Sequence, residues 1–182
     1  MLPTLAKELN WALLLVLACV AGAMDWRYRR IPNWLTVPAA GVGILLHYLS
    51  YGWGGAKDAL LGVLLGLAIL FPFVAIRSLG AGDWKLVGAA GAFLGPGPLL
   101  TVLFAGTLIA GAMALVVIIY KGRLRQALRN MGRILGSFVT LHRPGGDLSL
   151  DNPESLKVPF GVAFALAAIL LATHELLLSM KR

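Results

Sequence analysis

The sequence predicts an all-α protein, a polytopic membrane helix bundle with about six transmembrane helices. Its 182 residues are 59% hydrophobic and only 13% charged, whereas a soluble domain carries about 25% charged residues. The apolar residues are gathered into runs that approach the roughly 20 residues needed to cross a bilayer. The basic residues lie between these runs, where they act as topology determinants in membrane proteins.

Six apolar segments are predicted to form the helices. They cover residues 9–24, 34–52, 58–78, 84–96, 98–120 and 158–180. The fourth segment is short and rich in Gly and Ala, and small residues allow close helix packing, so we expect it inside the bundle. The "GPGP" from Gly95 to Pro98 predicts a tight turn before the fifth segment. The first segment could be mistaken for a cleaved secretory signal, but we expect it to remain in the protein as a membrane helix.

The loop at 121–157 is predicted to contain an amphipathic helix. Apolar residues recur in it at steps of four and three, with arginines on other faces, which is typical of a helix lying on a leaflet. These apolar residues are Leu124, Leu128, Met131, Leu135 and Phe138. The following "HRPGGDLSLDNPES" is polar and turn-rich, which predicts a mobile loop.

The charge distribution predicts an orientation in which both termini lie outside. The segments 25–33, 78–84 and 121–157 then lie inside. Twelve of the 16 Lys and Arg residues fall on that inner side and four on the outer side, in agreement with the positive-inside rule. Asp25 and Asp83 are both placed at the inner membrane face, because two crossings separate them.

Composition also excludes some classes of function. The net charge of +8 does not indicate nucleic-acid binding, because the basic residues are distributed between apolar runs rather than gathered on a soluble module. The single cysteine, Cys19, excludes an intrachain disulfide and a CxxC zinc pair. The sequence therefore predicts no zinc site built from paired cysteines.

Asp25 and Asp83 are the candidate catalytic residues. Taken singly, Asp83 could be a helix N-cap, and Asp25 could be a counter-ion for neighbouring arginines. Together they are the acidic residues at the inner ends of the first five segments, where carboxylates are costly and mark functional sites. Two close carboxylates share a proton, so one can act as general base on water and the other as general acid. Gly80 and Gly82 would let another backbone approach Asp83.

Three motifs give the chain a specific resemblance. "GAGD", Gly80 to Asp83, matches the GxGD motif of intramembrane aspartic proteases. "DWRYRRIPNWLT", from Asp25, resembles the D-x-R-x-x-x-I-P-N element of type IV prepilin peptidases, and "KVPFGVAFALA", from Lys157, resembles the Pro-x-Gly element that opens a late helix in that family. The resemblance implies that Asp25 and Asp83 are catalytic. The supporting motif positions are Gly80, Gly82, Arg27, Pro32, Asn33, Lys85, Pro159 and Gly161.

The resemblance also implies an activity, a substrate and a location. Residues 1–182 would form one membrane-embedded peptidase domain in the bacterial inner membrane, with its site at the cytoplasmic face. It would cut the leader from a prepilin or pseudopilin, with no metal, cofactor or nucleic acid, in contact with the lipid bilayer. The chain is similar to the short peptidases of Flp/Tad-type pilus systems and lacks the zinc-binding insert of larger members, so we expect cleavage without amino-terminal methylation. The alternative is a proton-coupled transporter in which the aspartates relay protons. The oligomeric state is not predicted.

Overall fold

The protein is described by a computed structural model over residues 2–140 and 159–180. The helices are α1 (Leu2–Tyr28), α2 (Asn33–Ala75), α3 (Ala81–Leu94), α4 (Pro96–Tyr120), α5 (Leu124–Thr140) and α6 (Phe160–Met180). No strand occurs in these described ranges. The predicted all-α class is confirmed.

Three of the described helices are long and apolar enough to cross a membrane. They are Glu8–Tyr28 within α1, Asn33–Ala75 and Pro96–Tyr120, and Phe160–Glu175 within α6 is a shorter apolar helix. Many of their large apolar side chains are exposed, including Leu64, Phe104 and Leu170. In water such surfaces would be unfavourable, whereas lipid solvates them. The protein is therefore a bundle of membrane helices.

Helix α2 consists of two limbs that run in opposite directions from Gly52. Gly52 has φ 61° and ψ −147°, a conformation that glycine adopts without the clash of a Cβ. A straight helix of 43 residues would be about 65 Å long, which is twice the thickness of the hydrocarbon core. Gly43 and Gly62 instead pack against two adjacent residues of α3, Ala92 and Gly91. The two limbs correspond to the predicted segments 34–52 and 58–78.

Helix α3 lies between these two limbs and has little exposed surface. All residues from Leu86 to Phe93 are buried. The ring Nε2 of His47 in the first limb lies 2.9 Å from the Phe93 carbonyl oxygen, and the Trp84 indole N–H donates to the Leu67 carbonyl of the second limb at 2.7 Å. The prediction that the short Gly/Ala-rich segment lies inside the bundle is therefore correct.

Helices α1 and α4 complete the bundle by packing against α6. Phe164 on α6 is fully buried. Gly22 of α1 faces Ala165, and Gly106 of α4 faces Phe164, so small residues again allow close contact. As a consequence, the beginning of α6 lies beside the end of α1.

The bundle has two ends, the carboxylate end, which carries Asp25 and Asp83, and the opposite end. The carboxylate end contains the C-terminus of α1, both ends of α2 and the N-termini of α3 and α6, whereas the opposite end contains Gly52 and Gly95. The predicted turn over Gly95 to Pro98 is wrong in extent. Only Gly95 lies outside the helices, with φ 69°, because Pro96 is accommodated at the first position of α4.

Two predictions about 121–157 have different outcomes. A helix occupies Leu124–Thr140, as the apolar periodicity predicts. The polar loop predicted after it lies outside the described residues. The assignment of the chain to a single domain stays a prediction.

The contact between Gly91 and Gly62 makes a prediction about stability. A Cβ added at Gly91 would overlap the Gly62 carbonyl group and come within 2.9 Å of the Val63 nitrogen. Because backbone cannot move aside as a flexible side chain can, we expect Gly91→Ala to lower the free energy of unfolding by about 1–3 kcal/mol. Thermal unfolding of the purified protein in detergent measures this.

Gly111→Ala is the matched control, since a Cβ at that helical position meets nothing within 4 Å. It should unfold at the wild-type temperature or above. Equal unfolding temperatures for the two variants would contradict the close packing of α3.

Candidate active site

Asp25 is held by the beginning of α6. Its side chain lies near the end of α1 and is only 7% exposed. The backbone N–H of Gly161 donates a hydrogen bond of 2.9 Å to Asp25 Oδ2. The first N–H groups of a helix have no partner within the helix and carry partial positive charge. A carboxylate placed there satisfies one of these groups and is stabilised by it.

The same contact explains the glycine at position 161. A Cβ added there would lie 3.0 Å from Asp25 Cβ and 3.2 Å from Ile31 Cδ1, which is closer than side chains normally pack. Pro159 lies immediately before Phe160, the first residue of α6, and not in the first turn of a helix that begins at 158 as predicted. The Pro-x-Gly element therefore contacts the Asp25 element directly.

Asp83 lies in the first turn of α3 rather than at its cap. The N-cap residue is Gly80, so the interpretation of Asp83 as the N-cap is wrong. A Cβ at Gly80 would lie 3.1 Å from Asp83 Oδ2, and one at Gly82 would lie 3.1 Å from Ile31 Cβ and 3.2 Å from its backbone nitrogen. Both glycines therefore allow close approach, Gly80 by the Asp83 carboxylate and Gly82 by the backbone of Ile31.

The two carboxylates line one cavity of about 420 Å³ at the carboxylate end. Its wall comes from the segment after α1 and from the beginning of α3. The lining residues are Asp25, Arg29, Arg30, Ile31, Pro32, Asn33, Gly80, Ala81, Gly82 and Asp83. Residues that are far apart in sequence are thus brought together because the two limbs of α2 cross the bundle and return.

The electrostatic environments of the two aspartates differ. Asp83 precedes the predicted apolar segment 84–96. The pKa of its carboxyl is raised to about 7, mainly by burial and to a smaller extent by the negative charge of Asp25. Burial removes water that would solvate the anion, and a like charge opposes a second ionisation. Asp25 is close enough to Arg29 for a favourable charge interaction. The pair is therefore suited to hold one proton at neutral pH.

The supporting positions join the motifs to each other. Lys85 donates a hydrogen bond of 2.9 Å from its ammonium group to Asn33 Oδ1, which links α3 to the start of α2. Pro32 stands at the N-cap of α2 with φ −79° and ψ 152°, so its ring restricts the backbone at the entry to this helix. These contacts hold the segment after α1 against the segment that carries Asp83.

Arg27 is not brought into the cavity, in contrast to the other motif positions around Asp25. It follows Asp25 by two residues, which on a helix is about 200° of rotation, so the two side chains point apart. Its guanidinium instead lies 5.7 Å from the centre of the Tyr28 ring. Arg29 and Arg30 line the cavity in its place.

The position of basic residues between apolar runs indicates membrane topology, and this pattern alone does not place Arg29, Arg30 or Ile31 in the wall of the site. A signal for them existed. The chain leaves α1 at Arg29, which has a left-handed φ of 53° and whose N–H donates to the Asp25 carbonyl at 2.9 Å. A short connection to a proline-started helix must pass beside Asp25.

Comparisons with known proteins agree with these motifs. Residues 12–115 match the model of the type IV leader peptidase family. The chain is 32% identical to a prepilin leader peptidase/N-methyltransferase of Neisseria gonorrhoeae over 100 residues, which are 51% of this chain and 35% of that protein. It is 30% identical over 119 residues to one of Xanthomonas campestris pv. campestris, covering 60% of this chain and 41% of that protein.

The chain thus spans less than half the length of these two curated relatives. No solved structure matches it. The family match covers more than half of the 182 residues and contains both Asp25 and Asp83. On this evidence, the chain belongs to the type IV leader peptidase family.

Proposed function

We propose that this chain is a membrane aspartic endopeptidase that removes the leader peptide from type IV prepilin-like substrates of the Flp/Tad type. Asp25 and Asp83 are its catalytic pair. The observation that carries the proposal is the shared cavity, in which the carboxylates of two separate family motifs face one space of about 420 Å³. The family assignment supports the peptidase over the alternative transporter.

The charge distribution supports a site at the cytoplasmic face of the inner membrane. Basic residues are concentrated in the segments at the carboxylate end, whereas Lys57 lies near Gly52 at the opposite end. The basic residues at the carboxylate end are Arg27, Arg29, Arg30, Arg77, Lys85, Lys121, Arg123, Arg125, Arg129 and Arg133. By the positive-inside rule this end faces the cytoplasm.

The surroundings of the aspartates assign them different roles in the resting enzyme. Asp25 accepts the Gly161 N–H at a helix N-terminus, which stabilises negative charge on it. Asp83 has a pKa raised to about 7 and holds the shared proton. Asp25 is therefore the general base, and Asp83 is the general acid.

The reaction follows from these two protonation states. Asp25 takes a proton from water as the water oxygen bonds to the substrate carbonyl carbon, and Asp83 gives its proton to the carbonyl oxygen. In the second half, Asp25 passes its proton to the leaving nitrogen as the C–N bond breaks. The proton on the former carbonyl oxygen then returns to Asp83, which restores the resting pair.

The position of the cavity fits a substrate with a polar leader and an apolar helix. The helix can stay in lipid while the leader remains in water, and the bond between them reaches the end of the bundle where the carboxylates lie. The attacked bond has to be extended, because a helical peptide bond is occupied by its own hydrogen bonds. A glycine before the cut would favour local unwinding.

The first functional prediction concerns the two carboxylates. Asp25→Asn and Asp83→Asn should each abolish visible cleavage of a co-expressed, tagged prepilin, because an amide can neither accept the water proton nor exchange protons through the cycle. General acid–base contributions of about 10²–10⁴-fold are lost in each case. A gel shift of the size of the leader reports cleavage.

The expectation of cleavage without amino-terminal methylation is tested separately. Mass spectrometry of the mature amino terminus reports whether a methyl group is added.

Asp58→Asn is the matched control, since Asp58 is exposed and lies near Gly95 at the opposite end. It should cleave normally. Near-normal cleavage by Asp25→Asn or by Asp83→Asn, at a protein level equal to the wild type, would contradict the proposal. Wild-type protein that cleaves none of the cell's pilins would favour the transporter.

The second functional prediction concerns the amide that holds Asp25. Gly161→Ala keeps the N–H but adds a Cβ that must displace the carboxylate, now 3.1 Å from that position, by a few tenths of an ångström. We expect the cleavage rate to fall about tenfold, because small misplacements of catalytic groups are costly. The rate is measured with purified protein and prepilin in detergent. Gly111→Ala should keep the wild-type rate, and an unaffected Gly161→Ala rate would show that this contact does not position Asp25.

A further inference from the structure

The amphipathic helix α5 has an apolar face and a cationic face that are both exposed. Leu124, Leu128 and Met131 form the apolar face and are 46%, 61% and 57% exposed. Leu135 and Phe138 continue the same spacing in the sequence. On another side, arginines recur every four residues at Arg125, Arg129 and Arg133, and all three are exposed. Such opposed faces are typical of a helix at the boundary between lipid and water.

The described chain leaves the apolar face of α5 uncovered. Helix α5 contacts the rest of the described residues mainly through α4. It is therefore not part of the core that encloses α3 and α6. A helix of such composition, whose apolar side has no partner among residues 2–140 and 159–180, requires an apolar surface from another source.

The turn before α5 fixes where that surface must be. α4 ends in a Schellman motif, in which the Arg123 N–H bonds to the Ile118 carbonyl and the Gly122 N–H bonds to the Ile119 carbonyl. Gly122 has φ 65°, the left-handed conformation that this motif uses. The chain therefore changes direction where the apolar α4 ends, so α5 begins at the level of the membrane edge at the carboxylate end.

The charge of the segment selects the partner. Between Tyr120 and Asp147 the sequence contains no acidic residue. Its cations up to the end of α5 are Lys121, Arg123, Arg125, Arg129 and Arg133. A surface that offers negative charge above an apolar layer complements both faces at once, and an anionic lipid leaflet has this arrangement.

We propose that α5 binds the leaflet at the carboxylate end through anionic phospholipid headgroups. The arginines contact the headgroup phosphates, and the apolar residues enter the boundary with the acyl chains. The helix thereby lies on the membrane surface at the same end of the bundle as Asp25 and Asp83. This proposal does not depend on the peptidase activity, because it rests on the faces of α5 and on the turn at Gly122.

The full chain, reconstituted in nanodiscs, tests the proposal. The probe is a fluorophore on Leu128→Cys in a Cys19→Ser background, and the lipids carry bromine on their acyl chains to quench it. We expect stronger quenching in a mixture of phosphatidylcholine and phosphatidylglycerol than in phosphatidylcholine alone. The triple variant Arg125→Gln, Arg129→Gln and Arg133→Gln should lose this preference, with more than a tenfold weaker response to added phosphatidylglycerol, since each cation near the surface contributes separately.

The corresponding triple Arg→Lys variant is the control, because it keeps the charges and should keep the lipid preference. High salt should weaken the preference in the wild type. Equal quenching in both lipid compositions would overturn the requirement for anionic lipid. Absence of quenching in either composition would show that the apolar face is not on a leaflet and would favour a protein partner.

Discussion

The close packing of α3 between the two limbs of α2 is the constraint on which the site depends. The backbones at Gly62 and Gly91 touch, and Gly43 packs against Ala92 on the other side. These contacts restrict sliding of α3 along its axis, because a slide by one residue would replace Gly91 with Ala90 or Ala92 and set a Cβ against the Gly62 backbone. The packing of α3 therefore determines how far Asp83 lies along the long axis of the bundle. The position of Asp25 is set independently, by the start of α6, and the segment from Arg29 to Asn33 lines the cavity that both aspartates share.

Much of this arrangement could be predicted from the sequence, because apolar runs, small-residue content and the number of membrane crossings can be seen without knowing any contact between helices. Apolar runs predicted the helices, and the Gly/Ala content of 84–96 predicted that this segment lies inside the bundle. The even number of crossings between Asp25 and Asp83 predicted that they lie at one end, and the structure has them in one cavity. The periodicity from Leu124 predicted a helix whose bounds the structure gives as Leu124–Thr140.

Contacts between helices could not be predicted in this way, because they depend on rotation and register. Nothing in the spacing of the Pro-x-Gly element indicates that the Gly161 N–H reaches Asp25. Arg27 belongs to a motif, yet its helical position turns it away from the cavity. Gly80, not Asp83, caps α3, since the residue that begins a helix is decided by backbone geometry as well as by side-chain preference. The catalytic roles of both aspartates stay proposals.

The central claim is that Asp25 and Asp83 share one proton in one site, and the pH dependence of cleavage by purified enzyme tests it most directly. Asp83, with its pKa raised to about 7, is protonated below that pH and loses its proton as pH rises through it, while Asp25 has to be ionised. The account predicts a bell-shaped profile of the cleavage rate that declines above about pH 7, with activity restored when the enzyme is returned to lower pH. A rate that keeps rising to a plateau well above pH 7, as for a single base, would contradict it.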